Sequence, residues 1–176
     1  PNRGTHSHLD QGSIIACMGG EEIVVDPGTY SYFTSSSLRR SVVSSHGHNL
    51  STIEDCEPAR QLGTFAFDQS VDTAILNCER SMGAFLVPGP IVEGVRFDYQ
   101  RLIQLSDSEF KIVDSFNHEH NWLSKMHFHP NFKLHSSNNE VVAVSRHGKV
   151  TIKVECDAKS TISIDNYSYS EHYGKS

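Results

Sequence analysis

The chain has 176 residues, 37% of them hydrophobic, 9% aromatic and 20% charged, which supplies one compact core and is too short to expect two domains. No stretch approaches the roughly 20 apolar residues that a bilayer span requires, which argues against a membrane span. Fifteen Lys and Arg stand against 21 Asp and Glu, a formal charge of -6 with no basic tract, which argues against nucleic acid as a partner.

In chain order, residues 1–10 show neither a basic n-region nor an apolar h-region, and with Pro1 at the start they read as a processed chain or an excised fragment. Residues 22–26 are short and Val/Ile-rich, the pattern of a strand. Asp26-Pro27-Gly28 follows with the composition of a tight turn. The polar stretch 31–46 carries a run of hydroxyls beside Arg39 and Arg40 and reads as a long surface loop reaching toward a ligand. His46-Gly47-His48-Asn49 then leads into another short strand. Further strands are expected at 101–105, 110–113, 141–145, 150–154 and 161–164, and no helical period with caps lasts beyond about two turns. The expected fold is all-β, with a two-sheet antiparallel β-sandwich as the economical architecture and a barrel second. Cys17, Cys56, Cys78 and Cys156 are too scattered for a CxxC zinc site or a disulfide scaffold.

The histidines carry the chemical signal. There are 11, and eight form His-x-His pairs: His6/His8, His46/His48, His118/His120 and His127/His129. In an extended segment residues two apart share a face, so each pair aims two imidazoles into one region, as metal sites and polar catalytic clefts require. A divalent ion such as zinc is held by three or four N, O or S ligands, and His6, His8, Asp26 and His48 are candidates within the first ~50 residues. Asp26 reads equally well as a ligand and as a turn-starter. The two later pairs, one in an Asn-rich loop and one beside Pro130, read as structural or surface residues, with His129 the one that could still join a site.

The ordered set His6-Ser7-His8-Leu9-Asp10, Gly19-Gly20, the run from Ile23 through Asp26-Pro27-Gly28-Thr29-Tyr30-Ser31-Tyr32, and Ser44-Ser45-His46-Gly47-His48-Asn49 resembles the heparinase II/III-like family. Arg101 to Leu105, Phe110 to Asp114, Phe128-His129-Pro130 and the closing Ser170 to Gly174 resemble its later strands, so the similarity covers nearly the whole chain. Val43 and Ser45 stand where members carry Arg and Thr, with Arg39 and Arg40 just upstream. The resemblance implies the C-terminal β-sandwich of a polysaccharide lyase, residues 1–176 forming one domain that lacks an N-terminal α/α toroid. It also implies a metal, zinc, held by His8, Asp26 and His48, with His6 and Tyr32 as catalytic residues; Tyr30 is a weaker match than Tyr32. Arg39, Arg40 and Asn49 are the candidate substrate-binding residues.

Such a lyase removes the proton alpha to a uronate carboxylate and expels the glycosidic oxygen, so it needs charge neutralisation, a base and an acid. The implied partners are an acidic polysaccharide or oligosaccharide and the missing toroid, without which the isolated chain is expected to be inactive. The implied location is the bacterial periplasm or cell envelope. Two rival readings are a non-catalytic, metal-stapled carbohydrate-binding or structural sandwich, and a cupin-like metal oxygenase. For the latter Asp10 falls at a poor spacing for the required acid.

Overall fold

The structure is a computed structural model that describes residues 7–29, 37–63, 66–157, 159–167 and 169. The strands in chain order are β1 (Ala16–Met18), β2 (Glu21–Val24), β3 (Ser51–Ile53), β4 (Gln61–Gly63), β5 (Ala66–Phe67), β6 (Ala74–Glu79), β7 (Met82–Val87) and β8 (Ile91–Val92). They continue as β9 (Val95–Arg96), β10 (Tyr99–Leu105), β11 (Phe110–Phe116), β12 (Trp122–Ser124), β13 (Lys133–Ser137), β14 (Glu140–Val144) and β15 (Lys149–Lys153). The largest sheet has the order β11-β10-β7-β6, a second has β13-β14-β15, and β1-β2, β12-β3, β4-β5 and β8-β9 form antiparallel pairs. The fold is an all-β sandwich, as expected.

Alternation sets the large sheet. In β10, Tyr99 and Arg101 are buried while Gln100 and Gln104 are exposed, and the register runs unbroken from Tyr99↔Phe116 to Leu105↔Phe110. Tyr99 packs with Leu50 and Val87 into one apolar cluster, flanked by Phe116 and Trp122, whose rings stack at 4.2 Å. A second cluster joins Ile23 and Val24 of β2 to Phe128, Phe132 and Ala143. Burying one Val or Phe side chain here contributes about 1.5–3 kcal/mol. It also welds β2 to residues 127–129, which pair with it antiparallel through Val25 N–H to the His127 carbonyl and His129 N–H to the Ile23 carbonyl, both 2.9 Å.

Two expectations are corrected. Of the stretch 31–46 read as a loop, the described part is a helix, α1 (Ser37–Val43), followed by the 3-10 turn Ser45–Gly47. Arg39, Val42 and Val43 lie at helical spacing and turn inward, a short period-3.6 signal that the surrounding hydroxyls obscure. Gly47 is required where it stands, because a Cβ there would collide with the Ser41 backbone oxygen. Residues 161–164 form no strand: alternation without an adjoining ladder does not make one.

Candidate functional site

The site begins with Leu9. Its N–H donates to the Val43 carbonyl at 2.9 Å and its side chain is buried against Ala59, Phe67 and Val71. Its neighbours in the chain, His8 and Asp10, are more exposed. His8 meets the chain again at His48, ring centroids 5.3 Å apart. His48 is fully buried, at 0% exposure, and its Nδ1 lies 2.7 Å from Asp26 Oδ2. The other Asp26 oxygen accepts the Gly28 N–H at 2.9 Å. The turn-starter reading of Asp26 is seen directly: one carboxylate oxygen closes the Asp-Pro-Gly turn, while the other holds the His48 imidazole.

Asn49 builds the rest. Its Nδ2 donates to the carbonyls of Ile14 (2.8 Å) and Val25 (2.9 Å), and its Oδ1 accepts the His127 backbone N–H (2.6 Å) and faces His127 Nδ1 at 3.1 Å. In a continuing ladder the Val25 carbonyl and the His127 N–H would bond to each other. The Asn49 amide stands between them, so the strand pair splays at the level of Asp26 while the Val25 carbonyl and the His127 N–H both keep a partner. Because Nδ2 has two carbonyl acceptors, Oδ1 is the acceptor toward His127; Nδ1 of that ring carries the hydrogen and Nε2 the lone pair.

The electrostatics follow from this crowding. Burial, with the nearby His48 and Arg39, lowers His8 to about 4 against the opposing pull of Asp26. His127 falls to about 4 through burial, His48 and Lys125, again opposed by Asp26. Burial alone would raise Asp26, but the hydrogen bond and charge interaction with His48 and the Gly28 N–H outweigh it, and Asp26 stays ionised below the usual carboxylate range. One carboxylate beside two imidazoles that resist protonation, His8 and His127, is a donor set suited to a divalent cation. His48 Nε2 supports that fit: it is buried with no hydrogen-bond partner, a situation that costs about 1–3 kcal/mol and that a ligand relieves. As the side chains stand, however, no group of three His, Cys, Asp or Glu among the described residues is arranged to close on an ion.

Residues 1–176 match the family model for the heparinase II/III-like C-terminal domain. The chain belongs to that family. The heparinase II/III-like proteins are polysaccharide lyases, so the chemistry at the coarse level is that of a lyase acting on polysaccharide. No curated protein and no solved structure gives a significant match to the chain. Among the described residues, no helix is long and apolar enough to cross a membrane.

Within this heparinase II/III-like domain the sequence-derived residues separate into groups. His8, Asp26 and His48 come together from three distant segments. His6, Tyr30 and Tyr32 lie outside the described residues. Asn49 is corrected from a substrate-binding to a framework residue: it is 2% exposed and its amide is saturated by protein. Arg39 is corrected from the surface to the interior. It is 1% exposed, and its NH1 donates to His8 Nε2 at 3.1 Å and to the Thr29 carbonyl at 3.0 Å. Arg40, its neighbour on α1, lines instead a groove of about 540 Å³ together with Leu9, Ser44, Glu57, Arg60 and Gln69.

Sequence reasoning placed His127 with the structural or surface residues, whereas the structure sets it on Asn49 beside the Asp26–His48 pair. It also missed Tyr167, whose hydroxyl donates to the Phe128 carbonyl at 2.6 Å and whose ring meets that of His127 edge-on at 4.7 Å. Burial, then Tyr169 and Asp26, push its phenol up to about 12. The available signal was a matched spacing: His127-x-His129 and Tyr167-x-Tyr169 pair ring for ring, the second pair at 5.7 Å. His118 stacks on Phe97 at 4.4 Å and is exposed, in keeping with its surface reading.

Proposed function

We propose that this chain is the metal-bearing β-sandwich of a lyase that cleaves a uronate-containing polysaccharide by β-elimination. One observation carries the reading: His8, Asp26 and His48, from three separate segments, converge around an imidazole that is fully buried yet has a nitrogen without a partner. These three residues would hold a divalent ion, zinc by donor type, which when bound supplies a fixed positive charge beside the cleft. His6, two residues before a ligand, and Tyr32, six after Asp26, are assigned to proton transfer. One takes the proton alpha to the carboxylate while the other protonates the departing glycosidic oxygen, leaving a carbon–carbon double bond in the sugar. Arg40 in its groove is assigned to the acidic glycan, and an N-terminal toroid to the remaining wall of the cleft. The envelope or periplasm of a bacterium is the setting proposed.

The test is metal content combined with turnover in the complete protein. His48→Ala is expected to lose bound zinc by elemental analysis. His6→Ala is expected to keep zinc and lose the ultraviolet absorbance of unsaturated product. If His6→Ala retains activity while His48→Ala loses metal, the rival reading of a metal-stapled binding module replaces this one.

A further inference from the structure

A neutral imidazole has one lone pair. On His8 that lone pair is already taken: Arg39 NH1 is only a donor, so the Nε2 it meets at 3.1 Å must be the acceptor, and Nδ1 carries the hydrogen. Arg39 is held there at 1% exposure, its NH1 bonded also to the Thr29 carbonyl beside the Asp26 turn. A metal ion bound by His8 needs the same pair of electrons. Turning His8 to the other tautomer gives no escape, since it would set an N–H against the guanidinium. The two cations would in addition repel each other across a poorly solvated gap.

We infer that Arg39 is the resident cation of this His8–Asp26–His48 cluster and competes with the metal, so that metal entry expels the guanidinium from His8. The inference rests on the metal reading proposed above. Its consequence for specificity is that the expelled guanidinium becomes available to a sugar carboxylate, a group whose planar fork suits it. Metal binding and presentation of Arg39 to an acidic glycan are then one linked equilibrium, and each must shift the other by the same factor.

The experiment is zinc titration of the metal-stripped protein by competition with a chromophoric chelator, comparing wild type with Arg39→Gln and His48→Ala. Arg39→Gln is expected to bind zinc about tenfold more tightly or better, and His48→Ala to bind none. A second measurement needs no variant. Phenylglyoxal labelling of wild type, read by peptide mass spectrometry, is expected to modify Arg39 slowly without zinc and several-fold faster with it. Equal or weaker zinc binding by a folded Arg39→Gln protein, or Arg39 labelling indifferent to bound zinc, overturns the inference and leaves the metal reading standing. Absence of zinc binding by wild type and Arg39→Gln alike overturns both.

Discussion

Two regions of the molecule satisfy buried backbone polarity in opposite ways. In the sheet of β6, β7, β10 and β11, seven successive residue pairs link β10 to β11, and β7 pairs along the other edge of β10. Strand supplies strand, and no single side chain is needed to keep the ladder closed. Around His48 the ladder between β2 and residues 127–129 stops after Val25, and the Asn49 amide stands in for the missing peptide. A ladder yields a regular surface that tolerates substitution. A side-chain amide set between two strands holds them apart and fixes polar groups in the opening, which is what a binding site needs, but it concentrates the support in a few atoms.

The link between the two regions is Arg101, and it should give the largest effect. Its Nε and NH2 donate to Asp114 at 2.8 and 2.7 Å, while its NH1 donates to the carbonyls of Gly12 (2.8 Å) and Asn49 (2.7 Å). Asp114 also accepts from Ser51 Oγ, itself on Ser124 Oγ. Arg101→Met leaves the largely buried Asp114 carboxylate with only the Ser51 hydroxyl as donor and takes the guanidinium from the Gly12 and Asn49 carbonyls, and is expected to cost about 3–5 kcal/mol in urea unfolding. A cost under 1 kcal/mol would mean that water replaces the guanidinium and that the network is not what joins sheet to site.

Asn49→Ala should come next, at about 3 kcal/mol, because it strands two carbonyls and two His127 N–H groups in the splayed pair. It sharpens the comparison through additivity. Since Arg101 NH1 bonds the Asn49 carbonyl, the double variant should lose less than the sum of the singles, a coupling of about 0.5–3 kcal/mol in a double-mutant cycle. Strict additivity would show the sheet and the site to be independent.

How much of this was legible in the sequence follows the same division. The strands of the regular sheets announce themselves by alternation, as Tyr99 to Leu105 and Glu140 to Val144 do, because a ladder asks only for a period of two. The weakly alternating β6, exposed along its whole length, leaves no such trace. The convergence of His8, Asp26 and His48 was legible as an ordered set of motifs. The roles of Asn49, Arg39 and His127 were not, because a polar residue beside a histidine looks the same whether it faces solvent or replaces a peptide bond. Only the register between Val25 and His127 separates the two, and that register is set by packing of Ile23, Val24 and Phe128 far along the chain.

The smallest effect concerns protons. His127 titrates near 4 in the folded protein against an ordinary 6.5, chiefly through burial. Between those two values the unfolded chain binds a proton that the native ring refuses. Its contribution is therefore complete above about 6.5, declines as pH falls toward about 4, and is constant below. Urea midpoints for wild type should accordingly drop from pH 7.5 to pH 5, and His127→Leu, though less stable at neutral pH through loss of its bond to Asn49, should show a shallower drop. His8, shifted in the same direction, remains in the variant, so the slope is reduced and not abolished. An unchanged slope would place His127 in contact with water and remove the idea that burial beside the Asn49 wedge keeps its ring neutral, while a regular-sheet substitution such as Leu102→Val should leave the slope untouched.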